Sequence, residues 1–201
     1  MSYVKKLEGQ KVIFTPVDYS DVKKYTPWYN DFEVGFFLGT QDRIVTEEDQ
    51  VTYLEKLSQN GYLFTVLDKD TKTPIGHCGI HSIDWVNRTG EVWMNIGNKG
   101  YWNKGFGTES TTLLLAFAFH VLNLNNVMIK VLGCNPRATH IFEKVGFKLI
   151  GKRREAVTVA FEKHDMLYYD IVSSDFTSPI ITDLIKKYKS ADKDLNKISF
   201  G

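Results

Sequence analysis

From Ser110 to Leu122 the chain reads STTLLLAFAFHVL, with no Asp, Glu, Lys or Arg, and Leu113 to Phe119 is apolar without a break. Together with Thr108-Glu109 ahead of it, this run predicts a helix over 108–122 that is apolar nearly all round. Such a helix has no face to offer water, so it must lie centrally against a sheet. At 201 residues the chain has the length for one domain with a core of that size.

Strands that could cover the helix are present on both sides of it in sequence. Val12 to Thr15 (closed by Pro16), Tyr62 to Leu67, Ile75 to Ile83 and Glu91 to Ile96 precede it; Asn126 to Leu132, Phe147 to Gly151 and Met166 to Val172 follow. Short aromatic-rich helices are expected over Asp18 to Asn30 and Phe32 to Leu38. Another begins at Thr46-Glu47-Glu48-Asp49, where an N-cap threonine precedes acids in the first turn. Asn135-Pro136 pairs an N-cap with a first-turn proline, and Gly146 supplies a left-handed cap, which bounds a helix ending at Val145. Ser178-Pro179 opens a last helix with Ile181, Leu184, Ile185 and Tyr188 on one side, placed to pack on the body or on a second copy in a homodimer. The fold class is α+β: a central mixed, mostly antiparallel sheet of six to seven strands flanked by helices.

Composition narrows the function. Lys+Arg 25 against Asp+Glu 24, with no sustained basic block, gives no reason to expect DNA or other nucleic acid as a partner. The start MSYVKKLEGQ lacks an apolar signal core and no run approaches the ~18 apolar residues of a membrane span, so a cytoplasmic protein with no membrane partner is expected. Cys78 and Cys134 are too few for a disulfide framework, and the five histidines show no metal-ligand spacing, so no metal is expected.

The stretch Gly100 to Ser110, GYWNKGFGTES, puts Gly-Phe-Gly just before the buried helix. The first N–H groups of a helix are free, and its dipole favours an anion there. A nucleotide-triphosphate loop would need Gly-Lys-Ser/Thr after Gly105, and the dinucleotide pattern would need a third glycine at Ser110; both fail. By itself the loop is equally an anion cradle or an ordinary tight turn, with Glu109 as the protein's own carboxylate on the dipole.

Three segments taken together, GEVWMNIG, GYWNKGFGTES and VLGCNPRATHIFEKVGF, resemble the GNAT superfamily of acetyl-CoA-dependent N-acetyltransferases. Within it they are most similar to the branch of ribosomal-protein N-terminal acetyltransferases. The resemblance runs from Val12 to Ser173, with Trp28 to Val34 similar to that branch's first helical segment. It implies a GNAT-like sheet splayed between its fourth and fifth strands, a domain over 1–176, and an additional amphipathic helix and tail over 177–201. It implies acetyl-CoA as cosubstrate. The family's loop, Arg/Gln-x-x-Gly-x-Gly/Ala, falls on Trp102, Asn103, Lys104, Gly105, Phe106 and Gly107, whose backbone with Thr108 would hold the pyrophosphate. Met94, Asn95 and Ile96 would carry the pantetheine arm and an oxyanion donor, and Asn135 would offer its amide to the same arm.

The same resemblance implies direct attack of a primary amine, a protein N-terminus or a small molecule, on the thioester. The family's tyrosine, in Tyr-x-x-x-Gly-Phe, falls on Phe142, which cannot donate a proton. A thiol titrates near ~8.5, so a thiolate can leave without that acid. Glu91 is the candidate base, with His81 able to share the role, and Glu33 is placed to meet a cationic acceptor. The alternative is a non-catalytic acetyl-CoA-binding module that kept the loop and lost the chemistry.

Overall fold

A computed structural model describes residues 3–59 and 61–178. Eight strands form one sheet in the order β1-β2-β3-β4-β5-β6-β8-β7. They are β1 (Leu7–Glu8), β2 (Val12–Pro16), β3 (Gly61–Asp68), β4 (Pro74–Asp84), β5 (Thr89–Asn95), β6 (Asn126–Leu132), β7 (Lys148–Val159) and β8 (Glu162–Val172). Every pairing is antiparallel except β5 with β6. The count exceeds the six to seven expected because the two-residue β1 folds back on β2. β7 and β8 also extend far beyond the predicted Phe147 to Gly151 and Met166 to Val172, as a long hairpin.

The helices are α1 (Val22–Asn30), α2 (Phe32–Leu38), α3 (Glu47–Gln59), α4 (Phe106–Ala116) and α5 (Pro136–Val145). Thr46 and Asp49 form the expected start of α3: the Thr46 hydroxyl accepts from the Asp49 N–H at 3.1 Å, and the Asp49 carboxylate accepts from the Thr46 N–H at 2.9 Å. α4 passes into a π-helical turn over Phe117–Val121. As its composition requires, Leu113 to Phe119 are all buried, packed among Val12, Phe14, Val66, Ile80, Val92 and Val127 of the sheet. The opposite face of the sheet is covered by α1 and α3, where Val22, Tyr25 and Leu54 form a second apolar cluster with Val51 and Leu63.

Two features position the site. Parallel β5 and β6 share only the pairs Thr89 with Asn126, Gly90 with Val127, and Glu91 with Met128. Beyond Glu91 they part: β6 stays paired with β8 to Leu132, β5 stays paired with β4 to Asn95, and a gap opens between them. The expected splay between these two strands is therefore present. The second feature is a buried histidine. His77 of β4 has no exposed surface and no hydrogen-bond partner on either ring nitrogen among the described residues. The ring of Tyr25 meets it edge-on at 3.9 Å, with Trp28 at 5.6 Å and Tyr29 stacked at 6.4 Å. Burial holds its pKa down to about 3, so it is neutral in the fold.

No helix among the described residues is long and apolar enough to cross a membrane. The expected C-terminal helix from Ser178-Pro179 onward lies outside the described residues after Ser178.

Candidate functional site

A cavity of about 570 Å³ lies where the β5–β6 gap meets the starts of α4 and α5. Its wall includes Met94, Asn95 and Ile96 from the end of β5, Trp102, Asn103, Gly105, Gly107 and Thr108 from the glycine loop, and Asn135 and Phe142 from α5. The structure thus brings together ten of the twelve residues expected at the cofactor. Lys104 and Phe106 are turned elsewhere. The Lys104 carbonyl accepts from the Lys11 ammonium at 2.9 Å, and the Phe106 ring packs edge-on against Tyr101 at 4.9 Å.

The local reasons are visible. Gly105 sits at the N-cap of α4 with φ +85°, a left-handed conformation that glycine adopts without steric cost. Gly107 has no room for more: an added Cβ would lie 3.0 Å from Ile141 Cδ1. No side chain caps α4. Glu109 leaves the dipole and instead accepts the Lys11 N–H at 2.7 Å, tying the β1–β2 turn to the helix. The first-turn amides are thereby left to the cavity.

Asn135 is both an N-cap and a tie. Its Oδ1 accepts the Ala138 N–H at 3.1 Å, and its Nδ2 donates to the Phe37 carbonyl at 3.2 Å, which fastens the end of α2 over the cavity. Val34, Phe37 and Leu38 of α2 complete the apolar wall. The Trp102 indole N–H donates to the Ile96 carbonyl at 2.6 Å, so the loop closes on the free end of β5. Phe142 is buried and packs on Phe147 with ring centroids 5.7 Å apart. The one aromatic hydroxyl among the lining residues, on Tyr101, donates to Asp68 and, against the opposing effect of burial, helps keep that carboxyl's pKa below its usual value.

Reading the sequence missed Arg137. Its guanidinium carbon lies 3.7 Å from the Trp102 ring centroid and 4.4 Å from that of Phe37. With His140 and Lys144, on the same face of α5, it supplies the basic groups of the wall, which contains no Asp or Glu.

Glu91 and His81 lie opposite one another in the β4–β5 ladder, with carboxylate and ring 3.9 Å apart, and neither lines the cavity. Val92 and Met94 pack into the core around α4, so alternation puts Glu91 on the other face of the sheet. The ion pair of Glu91 is with Lys130 of β6 at 2.8 Å, rather than with Arg88, whose guanidinium reaches Asn123. Glu33 is an exposed acid of α2 outside the cavity wall, and it shares Lys99 with Asp31 at 3.2 and 2.8 Å. Among the described residues no group of His, Cys, Asp and Glu could hold a metal ion.

A mixed sheet opened between two parallel strands, with an uncapped helix start facing the opening, is the arrangement that the resemblance to the GNAT superfamily implied. The chain belongs to the acetyltransferase (GNAT) domain family, whose pattern matches residues 11–148. It is 22% identical over 174 residues to an uncharacterized N-acetyltransferase p20 of Bacillus licheniformis, covering 85% of this chain and 97% of that one. It is 25% identical over 202 residues to an N-acetyltransferase 9-like protein of Caenorhabditis elegans, covering 92% and 96%. Among solved structures, the spermidine N-acetyltransferase of Vibrio cholerae in complex with CoA and spermine superposes with a TM-score of 0.75 at 20% identity, covering 83% of this chain and 98% of that one. The protein is an N-acetyltransferase of a family that uses acetyl-CoA.

Proposed function

We propose that the protein transfers the acetyl group of acetyl-CoA to a primary amine, with the donor in the cavity and the acceptor approaching from the Glu91 face of the sheet. One observation carries the reading. The cavity joins an apolar wall and an open strand edge to an uncapped helix start, with basic groups and no acid among its lining residues. That combination suits a ligand with a long neutral arm and an anionic end.

When bound, acetyl-CoA supplies an activated thioester carbonyl. The chain's residues then have three tasks. Amides of the α4 first turn meet the phosphates. The free edge of β5 beyond Glu91 pairs with the amides of the arm and offers an N–H to the developing oxyanion. Glu91, held by Lys130 and with His81 beside it, takes the proton of the attacking amine, directly or through water. As the amine nitrogen bonds to the carbonyl carbon, the carbon–sulfur bond breaks and the electron pair leaves with sulfur. Phe142 has no proton to give and the Tyr101 phenol is committed to Asp68, so the sulfur departs as thiolate.

The acceptor we favour is an α-amine, such as a peptide N-terminus, rather than a polycation. Near α2, Asp31 and Glu33 share the single ammonium of Lys99, and Glu91 on β5 is paired with Lys130, which leaves little net negative charge for a polycation to meet. An α-amine also titrates near ~7.7–8.0, so about a tenth is neutral at pH 7 without help. The test is thiol release from acetyl-CoA with a panel of peptides, single amines and spermidine, alongside thermal stabilisation by acetyl-CoA. Release with peptides ahead of spermidine is expected. Stabilisation without release for any amine would leave only the binding module, and no stabilisation would remove the donor site.

A further inference from the structure

Arg137 is a guanidinium for which the described residues provide no ion pair, although the charge of Glu33 is felt there. It is half-buried in the cavity wall, and burial pulls its pKa down while the charge of Glu33 raises it. Among the described residues it has no ion pair or hydrogen bond, only the faces of Trp102 and Phe37. Glu33 is itself paired with Lys99. Holding a cation in such a place costs free energy that stacking on aromatics offsets by only about 0.5–2 kcal/mol. Its five donors remain available, in a fork that matches phosphate oxygens.

Its position gives the donors an address. Trp102 occupies the loop position where the family pattern has Arg or Gln, and the plane of Arg137 lies on that same indole. We propose that Arg137 supplies, from α5, the cation that Trp102 does not, and that its guanidinium binds the diphosphate of coenzyme A beside the first-turn amides of α4. This inference rests on acetyl-CoA being the donor in the cavity. Trp102 is then a platform: it fixes the guanidinium plane through stacking and is itself fixed by its indole bond to the Ile96 carbonyl.

The experiment measures binding of CoA, dephospho-CoA and pantetheine to the wild type, Arg137→Ala and Arg137→Gln, by calorimetry and by the tryptophan fluorescence change. Gln keeps a planar group to stack on Trp102 while removing the charge, which guards against a collapse of the α2–α5 contact. Both variants should bind CoA and dephospho-CoA about 10- to 100-fold more weakly, as expected for loss of a charge-assisted contact, and pantetheine within about twofold of wild type. Equal weakening of pantetheine would make Arg137 a packing residue and overturn the proposal. So would unchanged CoA affinity, or a loss for CoA that dephospho-CoA does not share, which would move the contact to the 3′-phosphate. Wild-type protein that binds CoA but releases no thiol with any amine would fail the function proposed above while leaving this assignment standing.

Discussion

Replacing His77 should change how the stability of this protein responds to acid. His77 is fully buried and neutral, with a pKa held down to about 3, whereas in the unfolded chain it returns to about 6.5. The unfolded state therefore takes up the proton first as pH falls. Stability is full above about pH 6.5 and is lost progressively down to about 3. Each pH unit inside that window costs about 1.4 kcal/mol, so going from pH 7 to pH 5 removes about 2 kcal/mol through this one residue. His77→Phe keeps an aromatic ring among Tyr25, Trp28 and Tyr29 and removes both unpartnered nitrogens. Urea unfolding at pH 7 and pH 5 measures the effect, with other titrating groups cancelling in the comparison with wild type. The variant should lose about 2 kcal/mol less than wild type between the two pH values, and His77→Met should do the same if the larger ring strains the site. Equal acid losses in wild type and both variants would mean that His77 has a partner in the folded state and is not the neutral core group described above.

Three further outcomes are expected. Gly107→Trp should abolish acetyl-CoA binding while the far-ultraviolet circular dichroism stays that of the wild type, because the new ring fills the cavity between α4 and Ile141; retained affinity would remove the glycine loop from the donor site. Asn135→Ala should cost about 1–2 kcal/mol, or about 2–8 °C in Tm, through the lost cap and the abandoned Phe37 carbonyl. Asn135→Ser, which restores only the cap, should recover about half, and an acetyl-CoA affinity more than tenfold down in the Ser variant would show that the amide reaches the cosubstrate as well. Phe142→Tyr should leave turnover within about threefold if thiolate departs unaided, whereas a rise of ~10²-fold would identify the missing hydroxyl as a missing acid.

What could be read from the sequence was what local chemistry writes there. Asn135-Pro136 and Gly146 each announce a helix boundary, and the structure puts α5 between them, whereas α4 begins at Phe106, two residues ahead of the expected Thr108. The apolar run at Leu113 to Phe119 required a covering sheet and has one. By contrast, Lys148 to Glu155 of β7 are exposed on both sides, so no alternation of apolar and polar residues marked the strand beyond Gly151. The partner of Glu91 was hidden for a different reason. Arg88 is near in sequence but belongs to a turn, with φ +55°, while Lys130 arrives on β6 from across the sheet. Nothing in the sequence singles out Arg137, since only the meeting of α5 with Trp102 and Phe37 gives its charge a direction. His77 gave no signal either, because its aromatic enclosure is assembled from α1, far away in the chain.

The three pairs that join β5 to β6 have a mechanical consequence. The sheet behaves as two plates, β1 to β5 and β6 to β8, pinned at one corner and sharing one core with α4. A ligand that lays its amides along the free edge of β5 adds the rung the plates lack. The amide protons of β5 beyond Glu91 should therefore report occupancy by slowing their exchange with solvent when the cosubstrate binds. On the function proposed above, the donor is also a piece of scaffold, and its departure after each turnover would loosen the seam through which the product must leave.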